Sequence, residues 1–289
     1  MNVPSRLALA LIAAGMLPGA ESSAQAPSFA VRVESVRVDV LVADGGRPIL
    51  GLRPDDFELF DNDVRQHVDL VSFEQIPLNV ILALDVSASL SGDRLELLLD
   101  AGRAVLDGLG KDDQAALVTF SHIVTLGAPL SRDVRAVRNA LDETSGSGET
   151  SLVDGAYAAM TIGESDAGRA LLIVFSDGLD TASWLKESAV LETAKRSDVV
   201  AYGAAIASRG NTSFLRELSS LTGGTLYNIE STRDLRGTFL KILDEFRHRY
   251  LVSYTPKDVS KGGWHRLEVR VKNRRATVKA RPGYLAGPS

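Results

Sequence analysis

A short apolar run constrains the fold of this chain more than any other stretch. Residues 79–84, NVILAL, show no alternation of polar and apolar side chains, which is typical of a strand buried on both faces of a parallel sheet. Asp85 follows this run, and Ser87 and Ser89 come at the next alternate positions. Ligands of open α/β sheets bind at the carboxyl ends of central strands, so these three side chains predict a binding site. Their oxygens suit Mg²⁺, Mn²⁺ or Ca²⁺ better than zinc.

This D-x-S-x-S pattern after a hydrophobic strand resembles the metal-ion-dependent adhesion site of von Willebrand factor type A domains. In that family, a Thr from a later loop and an Asp from the end of a later strand complete the site. The segment 148–154, GETSLVD, looks like the Thr loop, and 171–178, LLIVFSDG, looks like the strand that ends in Asp-Gly. Three segments in the family's order make the match specific. The metal site that the resemblance implies consists of Asp85, Ser87, Ser89, Thr150 and Asp177.

The resemblance also implies a function. A divalent cation, Mg²⁺ first and Mn²⁺ or Ca²⁺ as alternatives, would keep exchangeable water, which a carboxylate from a protein partner replaces. The protein would then be a binding protein and not an enzyme. One departure from the family is Glu149, which stands where a small residue is usual. Asp180, three residues beyond Asp177, fits a loop residue better than a ligand.

Each site residue also has an interpretation without a metal. Asp85 can cap a strand-to-helix turn, and the two serines can be turn hydroxyls. Thr150 can be the N-cap of the helix that begins at 152, with Asp154 as its capping-box acid. Asp177 and the Gly that follows it can simply form a turn. Capping and metal binding do not exclude each other.

The strand at 79–84 opens a region of alternating strands and helices that reaches residue 248. Alternation of this kind predicts crossover connections and a doubly wound, mostly parallel sheet flanked by helices, as in α/β Rossmann-like folds. The predicted strands are 79–84, 115–120, 123–126, 171–175, 199–206 and 225–229. The predicted helices are 93–109, 134–141, 152–160, 184–195, 214–221 and 235–247.

Both flanks of this region predict β-structure. The patterns favour strands at 29–43, 57–60 and 64–73 before it, and at 250–254, 264–271 and 276–280 after it. Neither flank can bury much core alone, so we expect 28–75 and 249–285 to form one β-sandwich. The form of both flanks resembles a bacterial subfamily of secreted type A-related proteins. The predicted segments are a signal peptide (1–26), an amino-terminal β segment (27–76), the type A domain (77–248) and a carboxyl-terminal β segment (249–289).

The first 26 residues predict export. Arg6 precedes an apolar run at 7–17 that is too short to cross a bilayer, and Ala24-Gln25-Ala26 fits a cleavage site. The alternative is an uncleaved membrane anchor. With cleavage, we expect a periplasmic or extracellular protein without stable membrane insertion.

Composition and missing motifs exclude several other functions. A net charge of −5 does not indicate the basic surface that is typical of nucleic-acid binding. A chain without cysteine has neither disulfides nor thiolate ligands. Neither the G-x-G-x-x-G of dinucleotide folds nor the G-x-S-x-G of serine hydrolases is present. A phosphatase with an Asp nucleophile would need a second Asp where Ser87 stands. His122 fits a surface residue better than a base, and the basic residues of the tail fit a solvated face.

The sequence therefore predicts an exported binding protein that uses a metal ion to contact a protein ligand. One alternative is a structural or scaffolding envelope protein whose metal site is vestigial. A metal-dependent hydrolase is a further alternative, because a metal-bound water can attack a substrate. Trp184 follows the Asp177–Asp180 loop, and it fits either the rim of the site or the packing of a helix.

Overall fold

The computed structural model of the protein describes residues 35–72, 76–165, 168–177, 179–206 and 212–287. The predicted signal peptide and the start of the predicted strand 29–43 lie outside these residues.

The amino-terminal segment forms short strands in the region where the sequence predicts β-structure. The strands are β1 (Val36–Asp44), β2 (Arg47–Pro48), β3 (Phe57–Asp61), β4 (Val64–Gln66) and β5 (Val68–Ser72). The predicted strand 64–73 is divided at His67, because β4 pairs with β3 whereas β5 pairs with a strand from the carboxyl-terminal tail. Asn62 and Asp63 make the β3–β4 turn with φ values of 47° and 65°. Asn and Asp tolerate this left-handed conformation better than most residues.

Residues 78–247 alternate between strands and helices. The strands are β6 (Leu78–Asp85), β7 (Gln114–Phe120), β8 (Val124–Ser131), β9 (Arg169–Ser176), β10 (Val200–Ile206) and β11 (Leu226–Ile229). The helices are α1 (Asp93–Asp107), α2 (Val134–Asp142), α3 (Leu152–Gly163), α4 (Glu187–Ala194), α5 (Ser213–Leu221) and α6 (Leu235–Arg247). The bounds of α6 match the prediction. The strand predicted at 123–126 extends to residue 131 and runs antiparallel to β7.

The six strands form one sheet in the order β11-β10-β9-β6-β7-β8, parallel except for β8. All residues of β6 are buried because helices cover both faces of the sheet. Leu82 and Leu84 face the layer of α1, α2 and α6, whereas Ile81 and Ala83 face the layer of α3, α4 and α5. Complete burial of one large aliphatic side chain contributes roughly 1.5–3 kcal/mol. An uninterrupted apolar run gains this free energy on both faces of the strand only where both faces are covered, as in the centre of the sheet. This central position places Asp85 at the carboxyl edge of the sheet.

The tail returns to β-structure and completes a sandwich with the amino-terminal strands. Its strands are β12 (Tyr250–Tyr254), β13 (Gly263–Val271), β14 (Thr277–Lys279) and β15 (Gly283–Ala286), of which β15 was not predicted. One sheet has the order β14-β1-β12-β5 with β2 beside β1, and the other has the order β15-β13-β3-β4. Buried side chains of both sheets, including Val40, Leu59, Val252 and Leu267, form one core. Each flank therefore supplies strands that the other flank needs.

The structure confirms the predicted fold class: a doubly wound, mostly parallel sheet with a smaller β-sandwich built from both ends of the chain. The expectation of a fully solvated basic tail was wrong at Arg281, which is 6% exposed and donates from Nη2 to the Lys195 carbonyl oxygen. Arg249 is completely buried where α6 leads into β12, and it donates to the Tyr202 hydroxyl and the Gly223 carbonyl oxygen. Within the described residues, every helix is too short or too polar to span a bilayer.

Candidate metal centre

Asp85 ends the central strand, and neighbouring groups fix both of its carboxylate oxygens. The Ser87 backbone N–H donates to Oδ1 at 2.9 Å, and the Ser176 hydroxyl donates to Oδ2 at 2.7 Å. Burial raises the pKa of the Asp85 carboxyl; these hydrogen bonds oppose the rise in part, and the Asp177 carboxylate adds to it. Burial thus disfavours the charged form of the Asp85 carboxylate, and a bound cation would favour it.

Hydroxyl groups connect this strand end to Asp177. The Ser87 and Ser89 hydroxyl oxygens are 3.1 Å apart, and Ser89 donates to Oδ1 of Asp177 at 2.6 Å. Asp177 follows β9, the parallel neighbour of β6, so the sheet brings both strand ends to one edge. Hydrogen bonds thus connect four of the five predicted site residues in the order Asp85, Ser87, Ser89 and Asp177.

Thr150 lies on the adjacent loop, which backbone bonds hold against the serine loop. The Gly148 carbonyl oxygen accepts from Ala88 N at 2.9 Å. The Thr150 carbonyl oxygen accepts from the backbone N–H of Thr181 and of Ala182 at 2.9 and 3.0 Å, and its own N–H donates to the Thr181 hydroxyl. Thr150 is only 6% exposed. Main-chain bonds therefore place the loop of Thr150 against Ala88 of the serine loop and against residues 181 and 182, which follow Asp177.

The segment after Asp177 lies against the start of α3. Asp180 accepts from the Ser183 hydroxyl at 2.6 Å, as expected of a loop residue. Asp154 accepts from the backbone N–H of Trp184 and of Leu185 at 3.0 and 2.9 Å. These bonds keep Trp184 in a loop, so the prediction that a helix begins at 184 was wrong, and α4 begins at residue 187. The capping interpretation of Thr150 is also wrong, because Ser151 occupies the N-cap position of α3.

Arg94 is a charged neighbour of the site that sequence reasoning missed. Its guanidinium forms an ion pair with Oδ2 of Asp177 and donates to the Ser89 carbonyl oxygen. A signal for it existed in the sequence, because Arg94 stands in the first turn of the helix after the serine loop. The helix dipole disfavours a cation in this turn, and the ion pair with Asp177 offsets that effect.

The donor set fits a hard divalent cation. Two carboxylates and three hydroxyls are oxygen ligands of the kind that Mg²⁺, Mn²⁺ and Ca²⁺ prefer. Asp85 and Asp177 have 0% and 2% exposure, and Ser87 has 3%. Glu149, the departure from the family pattern, is exposed. Among the described residues, no group of three or more His, Asp or Glu side chains is arranged to hold a metal.

A second polar cluster lies inside the β-sandwich. His265 Nδ1 is 2.8 Å from Oδ1 of Asp61, and its Nε2 is 3.3 Å from the Ser260 hydroxyl, in the atom order of a serine-hydrolase relay. Oδ2 of Asp61 also accepts from the hydroxyls of Tyr254 and Tyr284, at 2.8 and 3.2 Å. Burial raises the pKa of Tyr284 to about 12, so this hydroxyl stays a donor. We assign the cluster to the stability of the sandwich, since Asp61 and His265 are buried and bonded to neighbouring strands.

Comparison with known proteins decides the family. The family model for the von Willebrand factor type A domain matches residues 79–241, more than half of the chain. The chain belongs to this family.

Relatives of this type A protein include inter-alpha-trypsin inhibitor heavy chain H2 of Mus musculus, which is 24% identical over 190 residues. The same heavy chain of Sus scrofa is 25% identical over 190 residues. Each match covers 60% of this chain and 20% of the relative, so the type A protein spans about a fifth of the length of the curated relatives it matches.

Among solved structures, proximal thread matrix protein 1 from the mussel byssus has a similar fold. Its structure with a zinc-occupied MIDAS motif has a TM-score of 0.55 and 15% identity, and it covers 64% of the type A protein and 49% of the mussel chain. A second crystal form gives a TM-score of 0.54 with 15% identity and the same coverage. At this identity, the similarity shows the fold alone.

Proposed function

We propose that this type A protein is a binding protein that contacts a protein ligand through a divalent cation. Asp85, Ser87, Ser89, Thr150 and Asp177 would hold the cation. The observation that carries the proposal is that the serine hydroxyls after β6 are hydrogen-bonded to Asp177 after β9, with Asp85 and Asp177 both buried. The loop that carries Thr150 lies against the serine loop, which supports Thr150 as a further ligand. Burying a carboxylate costs free energy, and a bound cation would offset that cost.

Mg²⁺ is the cation that we propose, with Mn²⁺ and Ca²⁺ as alternatives. Three of the five donors are neutral hydroxyls, so the protein supplies few negative charges. A cation held in this way keeps exchangeable water positions, and a carboxylate of the partner can replace the water there. The zinc-occupied MIDAS motif of the mussel protein supports a cation in this type of site.

The surface beside the site supports a protein partner. Trp184 is 94% exposed at the end of a loop whose residues bond to Thr150 and Asp154. Leu179 and Leu185, on the same loop, are 51% and 38% exposed. Exposed aromatic side chains are common at the centres of protein interfaces, because they bury a large area when a partner binds. We propose that the partner packs on Trp184 while its carboxylate reaches the cation.

We further propose that residues 77–248 are the binding domain and that 27–76 and 249–289 together form its supporting β-sandwich. The strand pairing of β1 with β12 and of β3 with β13 supports this division. The composition of residues 1–26 supports export to the periplasm or the outside of the cell, where a partner-binding surface would act.

Calorimetric titration of Mg²⁺ and Mn²⁺ into the purified protein tests the proposal. We expect saturable binding at one site, lost in Asp85→Ala and kept in Asp112→Ala, an exposed Asp that serves as the matched control. Circular dichroism establishes that each variant folds. Capture of a partner from envelope extracts should then be abolished by a chelator and by Asp85→Ala, whereas Trp184→Ala should weaken capture without changing cation affinity.

One observation favours the scaffolding alternative. Arg94 gives Asp177 a positive partner without any metal ion. If neither cation binds in an Asp85-dependent manner, either alone or with acetate added as a carboxylate, the proposed metal-dependent function is wrong. A scaffolding protein with a vestigial site then becomes the better explanation.

A further inference from the structure

Arg94 and the proposed cation share one carboxylate. The two oxygens of Asp177 have different partners: Oδ1 accepts from the Ser89 hydroxyl at 2.6 Å, whereas Oδ2 forms an ion pair with the Arg94 guanidinium. The Asp177 side chain is fully buried, and the Arg94 side chain is 28% exposed. Charges that are shielded from water interact more strongly than charges on an open surface.

Arg94 brings a positive charge to the site. Its planar guanidinium carries several N–H donors, which can bond to more than one acceptor. The guanidinium also donates to the Ser89 carbonyl oxygen. Arg94 therefore contacts two of the residues that form the proposed metal site.

Arg94 lies at the start of α1, directly after the loop that carries the two serines. Arg94 is the second residue of α1, and the backbone N–H groups of a helix start disfavour a cation there. Asp93 and Glu96 are the acids of this first turn, yet Arg94 forms an ion pair with Asp177. The side chain thus points across the loop toward the site.

We propose that Arg94 is a built-in competitor of the cation, which makes tight cation binding depend on the carboxylate of the partner. This inference rests on the proposed function. The guanidinium offsets one of the two carboxylates, so a divalent cation in the site keeps an excess positive charge. The carboxylate of a partner balances that excess. Cation and partner therefore bind cooperatively, each raising the affinity of the other by the same factor.

The test compares Mn²⁺ binding by calorimetry in the wild type and in Arg94→Gln. We expect Arg94→Gln to bind Mn²⁺ about tenfold more tightly, because the competing charge is gone. Arg103→Gln is the matched control: Arg103 also lies on α1, is 26% exposed and pairs with Asp142. Its affinity should stay within about twofold of the wild type. Arg94→Lys keeps the charge and should stay much closer to the wild type than Arg94→Gln.

Acetate serves as the carboxylate probe in a second measurement. At constant ionic strength, acetate should raise the Mn²⁺ affinity of the wild type by about threefold or more and that of Arg94→Gln by much less. If Arg94→Gln does not fold, the measurement on the wild type still tests the proposal. A wild-type Mn²⁺ affinity that does not change with acetate would contradict it.

Asp85→Ala distinguishes a failure of the role proposed for Arg94 from a failure of the proposed metal site. If wild type and Arg94→Gln bind Mn²⁺ equally and Asp85→Ala abolishes binding in both, the role of Arg94 is wrong and the metal site stands. If no protein shows Asp85-dependent binding, the inference and the proposed function are both wrong.

Discussion

The hydroxyl of Ser89 lies 2.6 Å from Oδ1 of Asp177, although the two residues are 88 positions apart in the chain. The contact exists because β6 and β9 are parallel neighbours whose register pairs Leu84 with Phe175. A sheet held together by apolar side chains therefore determines which polar groups meet at its edge. Altering one of these polar groups should change the site without unfolding the sheet.

Ser89→Ala should weaken cation binding. The substitution removes a proposed ligand and the hydrogen bond that orients Asp177, so we expect the Mn²⁺ dissociation constant to rise about tenfold, equivalent to ~1.4 kcal/mol. The exposed Ser91, two residues away, gives the matched control Ser91→Ala, which should leave the affinity unchanged. Calorimetry measures both variants. An unchanged affinity in Ser89→Ala would remove Ser89 from the proposed site.

Gly148→Ala should disturb the loop that carries Thr150. Gly148 has a φ of +78°, and a Cβ there would lie 2.2 Å from His122 Nδ1. We expect a loss of roughly 1–3 kcal/mol in the free energy of unfolding, together with weaker Mn²⁺ binding. Urea denaturation and calorimetry measure the two effects.

Gly46→Ala is the control for this change, because Gly46 has a φ of +80° and no atom within 4 Å of the added Cβ. Gly46→Ala introduces the backbone strain of a positive φ without the steric clash. It should therefore lower the free energy of unfolding by less than Gly148→Ala and leave Mn²⁺ binding intact. Adding His122→Ala to Gly148→Ala should recover part of the lost stability. No recovery would contradict the steric explanation.

Asp61→Asn should destabilise the β-sandwich. The Asp61 carboxylate accepts from His265, Tyr254 and Tyr284, and an amide cannot accept at both positions. Breaking a buried charged network costs about 3–5 kcal/mol in the free energy of unfolding. Ser260→Ala, at an exposed position, should change it by less than about 0.5 kcal/mol. A small effect of Asp61→Asn, combined with labelling of Ser260 by a fluorophosphonate, would indicate hydrolytic chemistry instead.

Glu245→Gln should reduce stability in a manner that depends on pH. Burial raises the pKa of Glu245, but hydrogen bonds from Tyr227 and Tyr202 and the positive charges of Lys279 and Arg249 outweigh it, and the net pKa is lowered. A lowered pKa in the folded state stabilises the protein above the pKa of the unfolded state. That stability disappears as pH falls through the folded value.

Urea denaturation of the wild type and Glu245→Gln across a pH series checks this expectation. At neutral pH, the variant should be less stable by roughly 1–3 kcal/mol, the range for a hydrogen-bonded buried charge. The difference should shrink below the unfolded-state pKa of about 4.3. Glu217→Gln, at an exposed position of α5, should show no such trend. A difference that does not vary with pH would mean that the lost stability comes from packing.

Much of the fold followed from local patterns. The apolar run at 79–84 corresponds to a strand buried on both faces, and the spacing of apolar residues gave the bounds of α6. Local patterns failed at Trp184, because its loop is held by the side chain of Asp154, 30 positions away. They also failed at Arg281, which is buried and donates to the carbonyl oxygen of Lys195 in a distant segment.

The sequence by itself determined the secondary-structure periods, the family, and the five residues proposed for the metal site. These depend on side-chain type and spacing along the chain, which are local properties. Only the tertiary structure decided which groups face one another: Arg94 with Asp177, and His265 with Asp61. The reason is physical. Packing of apolar layers and strand register fixes the positions of distant segments, and the polar side chains that meet there leave no periodic signal in the sequence.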